Sequence, residues 1–344
     1  MSFYEAKAIL ITGGTGFIGG EVSRHLTIKY PEKFFVVYDK LEYSSSINNI
    51  KGLLKLPNFK FIKGDIQNYD LVLSILEIFK IDTLLNFAAQ SHVDLSFKNS
   101  LEFTKTNVLG THVLLEAARK VQVKRFIHVS TDEVYGDIPD DSAKETRTLD
   151  PTNPYAFSKA AAELVVKAYI KSFQFPAIIT RGNNVYGPRQ FPEKVIPKFI
   201  LRLLHGMKCC IHGKGNARRT YVYISDVADA FDLIIHRGKI HEVYNVGSFE
   251  EYTIKELALI VINKIHGVEG EAAETYIEYV KDRLINDQRY SVSTEKLANL
   301  GWQAQHDFEQ GLEKTIEWYK HEANDWWSEY EYALAAHSAA QYTC

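Results

Sequence analysis

The stretch Lys7-Ala8-Ile9-Leu10-Ile11-Thr12-Gly13-Gly14-Thr15-Gly16-Phe17-Ile18-Gly19 decides the fold. Its apolar half reads as a buried strand. It runs into glycines at 13, 16 and 19, then into a helical pattern whose apolar positions include Val22 and Leu26. That order suits a tight turn, close backbone approach to a pyrophosphate, and close helix-to-strand packing, with the phosphates at the helix N-terminus. A structural turn could use the same glycines. A second strand, Phe34-Phe35-Val36-Val37-Tyr38, ends in Asp39, twenty residues past Gly19, where a carboxylate meets a ribose 2′-hydroxyl. Together these predict dinucleotide binding, with Gly13, Gly16, Phe17, Ile18, Gly19 and Asp39 at the cofactor.

Asp39 also selects the cofactor. A 2′-phosphate about 4 Å away would be repelled by roughly 4 kcal/mol per unit charge at an effective dielectric near 20. Lys40 offsets only part of this, so NAD is favoured over NADP.

Strand and helix signals go on alternating. Phe59-Lys60-Phe61-Ile62 leads to Gly64-Asp65-Ile66, where Asp65 either contacts an adenine amino group or caps the loop. After a helix around Tyr69 to Phe79, the strand Thr83 to Phe87 ends in Ala88-Ala89-Gln90-Ser91-His92-Val93-Asp94. Small residues there permit close approach to the cofactor, and strand carboxyl ends are where open α/β sheets bind ligands. His92 reads as a ligand contact or as a satisfied structural histidine. One long helix is predicted from about Ser100 to Lys120.

Arg125-Phe126-Ile127-His128-Val129 is the length of a buried strand and ends in Ser130-Thr131-Asp132-Glu133. Two adjacent acids at a strand end are costly to bury without a purpose. The plainer reading is a polar cap. Pro154 and a plausible N-cap at Asn153 then start a helix carrying Tyr155 and Lys159, which at i and i+4 share one face. A nearby lysine cation, with a positive nicotinamide ring, would lower the phenol pKa from its reference near 10.

Composition bounds the class. The chain has 344 residues, 46% hydrophobic and 24% charged, with a formal net charge of −3, as in ordinary globular proteins. Nothing in that balance marks a nucleic-acid or membrane binder. No apolar run approaches the roughly 18 residues of a membrane span, and Met1 to Glu5 lack the pattern of a secretion signal. Cys209, Cys210 and Cys344 have no metal-ligand spacing, so reduced thiols and a cytoplasmic address are expected. No metal is expected.

The residues Gly13 to Gly19, Asp39, Gly64-Asp65-Ile66, Asn107, Ser130-Thr131 and Tyr155 with Lys159 resemble the extended short-chain dehydrogenase/reductase family. Tyr186-Gly187-Pro188, Arg219 and Tyr244-Asn245-Val246-Gly247 extend the likeness over about residues 6 to 320. Within that family, Thr131-Asp132-Glu133 is similar to the nucleotide-sugar 4,6-dehydratases. Sugar 4-epimerases lack the acid pair, and UDP-glucuronate decarboxylases typically carry Ser at the Asp132 position. The resemblance implies a Rossmann-type doubly wound parallel sheet with a smaller C-terminal α/β substrate-binding domain. It adds Ile66, Ala88, Asn107 and Ser130, with Tyr155 and Lys159, to the cofactor contacts. It implies Thr131 as partner to the sugar's 4-oxygen, Asp132 as acid, Glu133 as C5 base, and Tyr155 with Lys159 at the 4-hydroxyl.

The substrate is implied to be a nucleotide-diphosphate glucose, met by Ser91, His92, Asn184, Glu193, Lys194, Lys198, Arg219, Asn245, Asn286 and Arg289. For any one of the basic residues, a solvated surface position is the alternative. The segments 180–188, Ile211-His212-Gly213 and Asn286 to Tyr290 resemble the dehydratase domain of plant UDP-rhamnose synthases more than bacterial dTDP-glucose dehydratases. UDP-glucose is therefore expected, with dTDP-glucose the alternative, and a homodimer formed through helices 100–120 and 155–173. A 4-epimerase, or a non-catalytic NAD-binding regulatory protein, is the more remote reading. The cofactor domain is expected at 1–182 and about 220–248, the substrate domain at about 183–219 and 249–325, with a tail at 326–344 of open role.

Overall fold

A computed structural model describes residues 4–327 and 329–336. Cys344 and the end of the tail lie outside them. The large sheet is parallel, with strands β1 (Ala8–Thr12), β2 (Phe34–Asp39), β3 (Phe59–Lys63), β4 (Thr83–Asn86), β5 (Arg125–Thr131) and β6 (Ala177–Gly182). Three short strands follow, β7 (Asn184–Tyr186), β8 (Cys209–His212) and β9 (Arg218–Tyr223), before β10 (Val243–Val246) returns to the large sheet beside β6. The resulting seven-stranded order is β10-β6-β5-β4-β1-β2-β3. β11 (Glu251–Thr253), β12 (Ile277–Val280) and β13 (Arg289–Tyr290) complete the set. β7, β11 and β13 all pair with β9, and β12 pairs with β8.

The sequence folds this way because β1 and β2 are largely apolar and, with β4, are buried on both faces, as parallel strands must be. Helices α1 (Phe17–Lys29), α2 (Tyr69–Ile78), α3 (Val93–Lys98), α4 (Ser100–Phe103), α5 (Gly110–Lys120) and α6 (Pro154–Phe173) follow in chain order. α7 (Val195–Leu204), α8 (Ile224–Arg237) and α9 (Ile254–His266) come later. Two apolar clusters cover the two faces of the large sheet, and a third, built on α7, α9 and the helix Phe308–His321, forms the second lobe. Val222 and Tyr223 lie in β9 of the smaller sheet, so the chain returns to the large sheet's layer only with α8, which packs on α1.

One predicted element differs in kind. The helix expected over 100–120 is continuous in direction but carries a π turn at Thr104–Leu109. π turns are often found at functional sites. Here Asn107 lies in it and reaches across to the loop after β4, which a regular sequence period cannot reveal. Cys209 and Cys210 are buried thiols in β8. No described helix is long and apolar enough to cross a membrane. Among the described residues, no His, Cys, Asp and Glu cluster has metal-holding geometry.

Candidate active site

β1 lies between β2 and β4, and the chain leaves it in opposite directions, so the carboxyl ends of β1 and β4 flank a crevice. The glycine-rich turn sits there. A Cβ on Gly13 would lie 2.6 Å from the backbone nitrogen of Ala88, and one on Gly19 would lie 2.4 Å from the Gly13 carbonyl. Only glycine allows this approach. Helix α1 starts with Gly16 as N-cap and receives no side-chain cap, leaving its first amides to a ligand.

Asp39 accepts the Thr15 amide at 3.0 Å and the Leu41 amide at 2.8 Å, so its charge is fixed beside the turn. Lys40 does little to offset it, because its ammonium is paired with Glu42 at 2.5 Å and Asp65 at 3.3 Å. Of the two roles open for Asp65, the loop cap is formed, through the Gln67 amide at 2.9 Å, and the residue also lines the crevice. Gly13, Gly16, Phe17, Ile18, Gly19, Asp39, Asp65, Ile66, Ala88, Ser130, Tyr155 and Lys159 line this one crevice. Asn107 does not. It accepts the Gln90 amide at 2.8 Å and donates to the Gln90 carbonyl at 3.0 Å and the Ser158 hydroxyl at 2.8 Å. It shapes the loop after β4 and ties it to the Tyr155 helix.

β5 delivers Thr131, Asp132 and Glu133 to the same cavity as Tyr155 and Lys159. Asp132 is 4% exposed and accepts from Asn183 at 2.6 Å and Thr131 at 3.1 Å. Burial, with the neighbouring Glu133 charge, pushes its carboxyl up to about 7. Burial raises Glu133 as well, against the pull of Asn153, Lys194 and Arg219. Glu133 is the more open of the two and accepts from Asn153 at 3.2 Å. Two interacting carboxyls of unequal burial hold a proton on the deeper one, leaving an acid and a base side by side.

Lys159 donates to the Val129 carbonyl at 2.6 Å, and burial lowers its ammonium to about 8. The phenol of Tyr155 is pushed well above its ordinary value by burial and by Glu133, with Thr131 hydrogen bonding in the opposite sense. The phenol depression expected from Lys159 is therefore absent in the protein alone. Desolvation and the two acids raise the phenol, and the lysine is tied to the Val129 carbonyl.

A second cavity adjoins the first and shares Glu133, Asn184, Glu193 and Lys194 with it. It also gathers His92, Lys198, Arg219 and Asn286, while Ser91 stays on the cofactor side. Arg219 donates to the Asp287 carbonyl at 2.9 Å and stacks over Tyr290 at 4.3 Å. Glu193 accepts from Tyr43 at 2.7 Å, and its carboxyl is raised by burial. Lys194 donates to the Ser91 carbonyl at 2.7 Å. Two residues expected at the substrate stand elsewhere. Asn245 is wholly buried, donating to the Ala143 and Ser293 carbonyls and accepting from Tyr135. Arg289 is spent on Glu251 at 2.7 Å and on the carbonyls of Ile138 and Asp141. Both side chains tie neighbouring loops to the strands they stand on.

Sequence reading missed three groups. Arg283 lines the second cavity and pairs with Asp94 at 2.7 Å. Burial alone would raise Asp94, but the Arg283 and His92 charges hold it well below the usual carboxylate range. Asn183 and Asn153 hold the two acids. Asn153 also caps α6 through the Ala156 amide at 2.9 Å, so one side chain joins Glu133 to the Tyr155 helix. Its capping role was legible; its grip on Glu133 depends on a contact across twenty residues.

Fold and site together define a nucleotide-binding α/β protein of the short-chain dehydrogenase/reductase kind. A family model described as GDP-mannose 4,6 dehydratase matches residues 10–315, and the chain belongs to that family. It is 49% identical to a trifunctional UDP-glucose 4,6-dehydratase/UDP-4-keto-6-deoxy-D-glucose 3,5-epimerase/UDP-4-keto-L-rhamnose-reductase of Arabidopsis thaliana, over 98% of this chain and 51% of that protein. The chain thus spans about half the length of that relative. It is 47% identical to the dTDP-D-glucose 4,6-dehydratase of Mus musculus, over 93% of this chain and 91% of that one. A Streptomyces venezuelae dTDP-glucose 4,6-dehydratase solved with NAD bound superposes with a TM-score of 0.89 at 37% identity, over 93% and 98% of the two chains.

Proposed function

We propose that the protein catalyses NAD-dependent 4,6-dehydration of a nucleotide-activated glucose, taking UDP-glucose to UDP-4-keto-6-deoxy-glucose on the way to rhamnose or another 6-deoxy sugar. The observation that carries this reading is the acid pair Asp132 and Glu133 facing the same cavity as Tyr155 and Lys159.

The uncapped α1 N-terminus and Asp39 fit a dinucleotide with a free 2′-hydroxyl, and the Asp39 carboxylate disfavours a 2′-phosphate. NAD, when bound, supplies a reversible store for one hydride. Tyr155 accepts the proton of the sugar's 4-hydroxyl as C4 is oxidised. Lys159 and the positive charge of an oxidised nicotinamide oppose the acids that otherwise hold the phenol neutral. The 4-ketone acidifies the C5 proton, which Glu133 takes. Asp132 gives its proton to the C6 hydroxyl, which leaves as water. Acid and base must act at adjacent carbons, and adjacent residues satisfy that. Glu133 then gives a proton back to C5 as C6 receives the hydride taken from C4, and the proton accepted by Tyr155 makes good the one Asp132 gave, so the net change is loss of one water.

Lys194, Lys198, Arg219 and Arg283 bring positive charge to the second cavity, suited to a diphosphate. UDP is favoured by the likeness in segments 180–188 and 286–290, while the mouse relative makes dTDP-glucose the second candidate. Exposed Leu101, Leu109, Phe157 and Leu164, on or beside α4 and α6, support a homodimer across that face. Incubation with UDP-glucose and with dTDP-glucose, followed by mass spectrometry, tests the reading. It predicts loss of one water, faster from UDP-glucose. An unchanged mass with a new epimer, or two untouched substrates, would reject it.

A further inference from the structure

The segment after helix Phe308–His321 takes no part in the mechanism above, yet it is bonded to both sides of the crevice. The indole N–H of Trp326 donates to Oδ1 of Asn49 at 3.2 Å, and Nδ2 of Asn48 donates to the Trp326 carbonyl at 3.1 Å. Asn49 is 1% exposed, and its Nδ2 donates to the carbonyls of Thr15 at 2.8 Å and Gly16 at 3.3 Å. Those carbonyls belong to the glycine-rich turn. On the other side, Trp327 packs edge-on against Phe191 at 5.1 Å, and Lys198 donates to the Ala335 carbonyl at 3.4 Å.

The logic of the bond chain lies in its donors. A side-chain amide can face either way, but an indole N–H only donates. Trp326 therefore obliges Asn49 to turn its oxygen outward and its NH2 toward the turn. Because peptides are planar, fixing the Thr15 and Gly16 carbonyls also fixes the amides of Gly16 and Phe17, on the opposite edge of each peptide. The Ser46 amide reinforces the same Thr15 carbonyl at 3.0 Å. Arg189 lies over the Trp326 ring at 5.4 Å and reaches Glu21 of α1 at 3.5 Å, so the ring itself is seated against the cofactor helix.

We propose that Trp326 and Asn49 are positioning residues for the cofactor: the C-terminal segment holds the Asn49 amide in the orientation that shapes the glycine-rich turn for a pyrophosphate. This rests on the reading of that turn as the NAD site. The test uses the full chain stripped of nucleotide, with NAD affinity measured by equilibrium dialysis and steady-state kinetics run alongside. Trp326→Phe keeps the ring and removes the donor. NAD binding weakens about three- to tenfold, the range of one lost neutral hydrogen bond, while kcat at saturating NAD and KM for the sugar stay within twofold. Trp318→Phe, which alters the ring packed edge-on against Trp326 at 5.4 Å, leaves NAD affinity unchanged. Asn49→Asp, nearly isosteric but with no NH2 for the turn, weakens NAD binding at least as much as Trp326→Phe. Wild-type affinity in both Trp326→Phe and Asn49→Asp would overturn the proposal, as would an equal loss in Trp318→Phe. An unmodified chain that binds no NAD would overturn the cofactor reading itself, and this inference with it.

Discussion

Asn183 donates to Oδ2 of Asp132 at 2.6 Å in a fully buried contact, and it is the shortest polar link holding either member of the acid pair. It fixes Asp132 in one orientation while burial keeps its proton on. Replacing Asp132 by Asn preserves size and neutrality but removes the transferable proton. We expect water elimination to slow by about 10²–10⁴-fold, the usual worth of a positioned acid, with C4 oxidation far less affected. Single-turnover absorbance should then show reduced cofactor accumulating. Equal slowing of both steps would contradict the assignment.

In the proposed reaction Glu133 is the base at C5. Glu133→Gln should still allow C4 oxidation but abolish exchange of the C5 hydrogen with solvent deuterium, read by proton NMR of recovered substrate and product. Exchange at the wild-type rate would assign the base elsewhere.

The raised Asp132 carboxyl has a signature in stability. Its folded value of about 7 lies above the ordinary 3.8, so the fold binds this proton more tightly than the unfolded chain does. Its stabilising contribution is complete below about pH 3.8 and is lost as pH climbs to about 7. Asp132→Asn, always neutral, should gain thermal stability over the wild type through that window. The difference in melting temperature should be larger at pH 8 than at pH 5, and an equal difference would contradict the raised value.

In the proposed cofactor site Asp39 excludes a 2′-phosphate by charge. Asp39→Asn keeps an acceptor for the Thr15 or Leu41 amide and removes the charge, so NADP binding should improve while NAD binding weakens. The preference for NAD should fall by at least tenfold. Dissociation constants for both cofactors check this, and an unchanged ratio would move the discrimination to another residue.

The large sheet was readable because its strands are apolar runs ended by glycines, acids or hydroxyls, and because Asp39 and the Tyr155–Lys159 spacing are local patterns. The crevice residues from Gly13 to Lys159 came with those strand ends. What stayed hidden depends on contacts distant in sequence. The Asn107 amide in the π turn engages Gln90 and Ser158 far along the chain, and Arg283 looks like any surface arginine until Asp94 is placed beside it. Asn245 and Arg289, which the resemblance sets at the substrate, line neither cavity, because their side chains bond to other loops that are distant in sequence. The phenol of Tyr155 shows the limit for energetics: the neighbour four residues away was visible, but the burial and the two acids that outweigh it were not.

In the proposed reaction one hydride leaves C4 of the sugar and returns to C6 of the same molecule while Glu133 and Asp132 remove water between. The most direct test is NDP-glucose deuterated at C4, converted in ordinary water and examined by NMR and mass spectrometry. The deuterium should be retained and found at C6 of a product lighter by one water. Deuterium returned to C4, or lost to solvent, would contradict it.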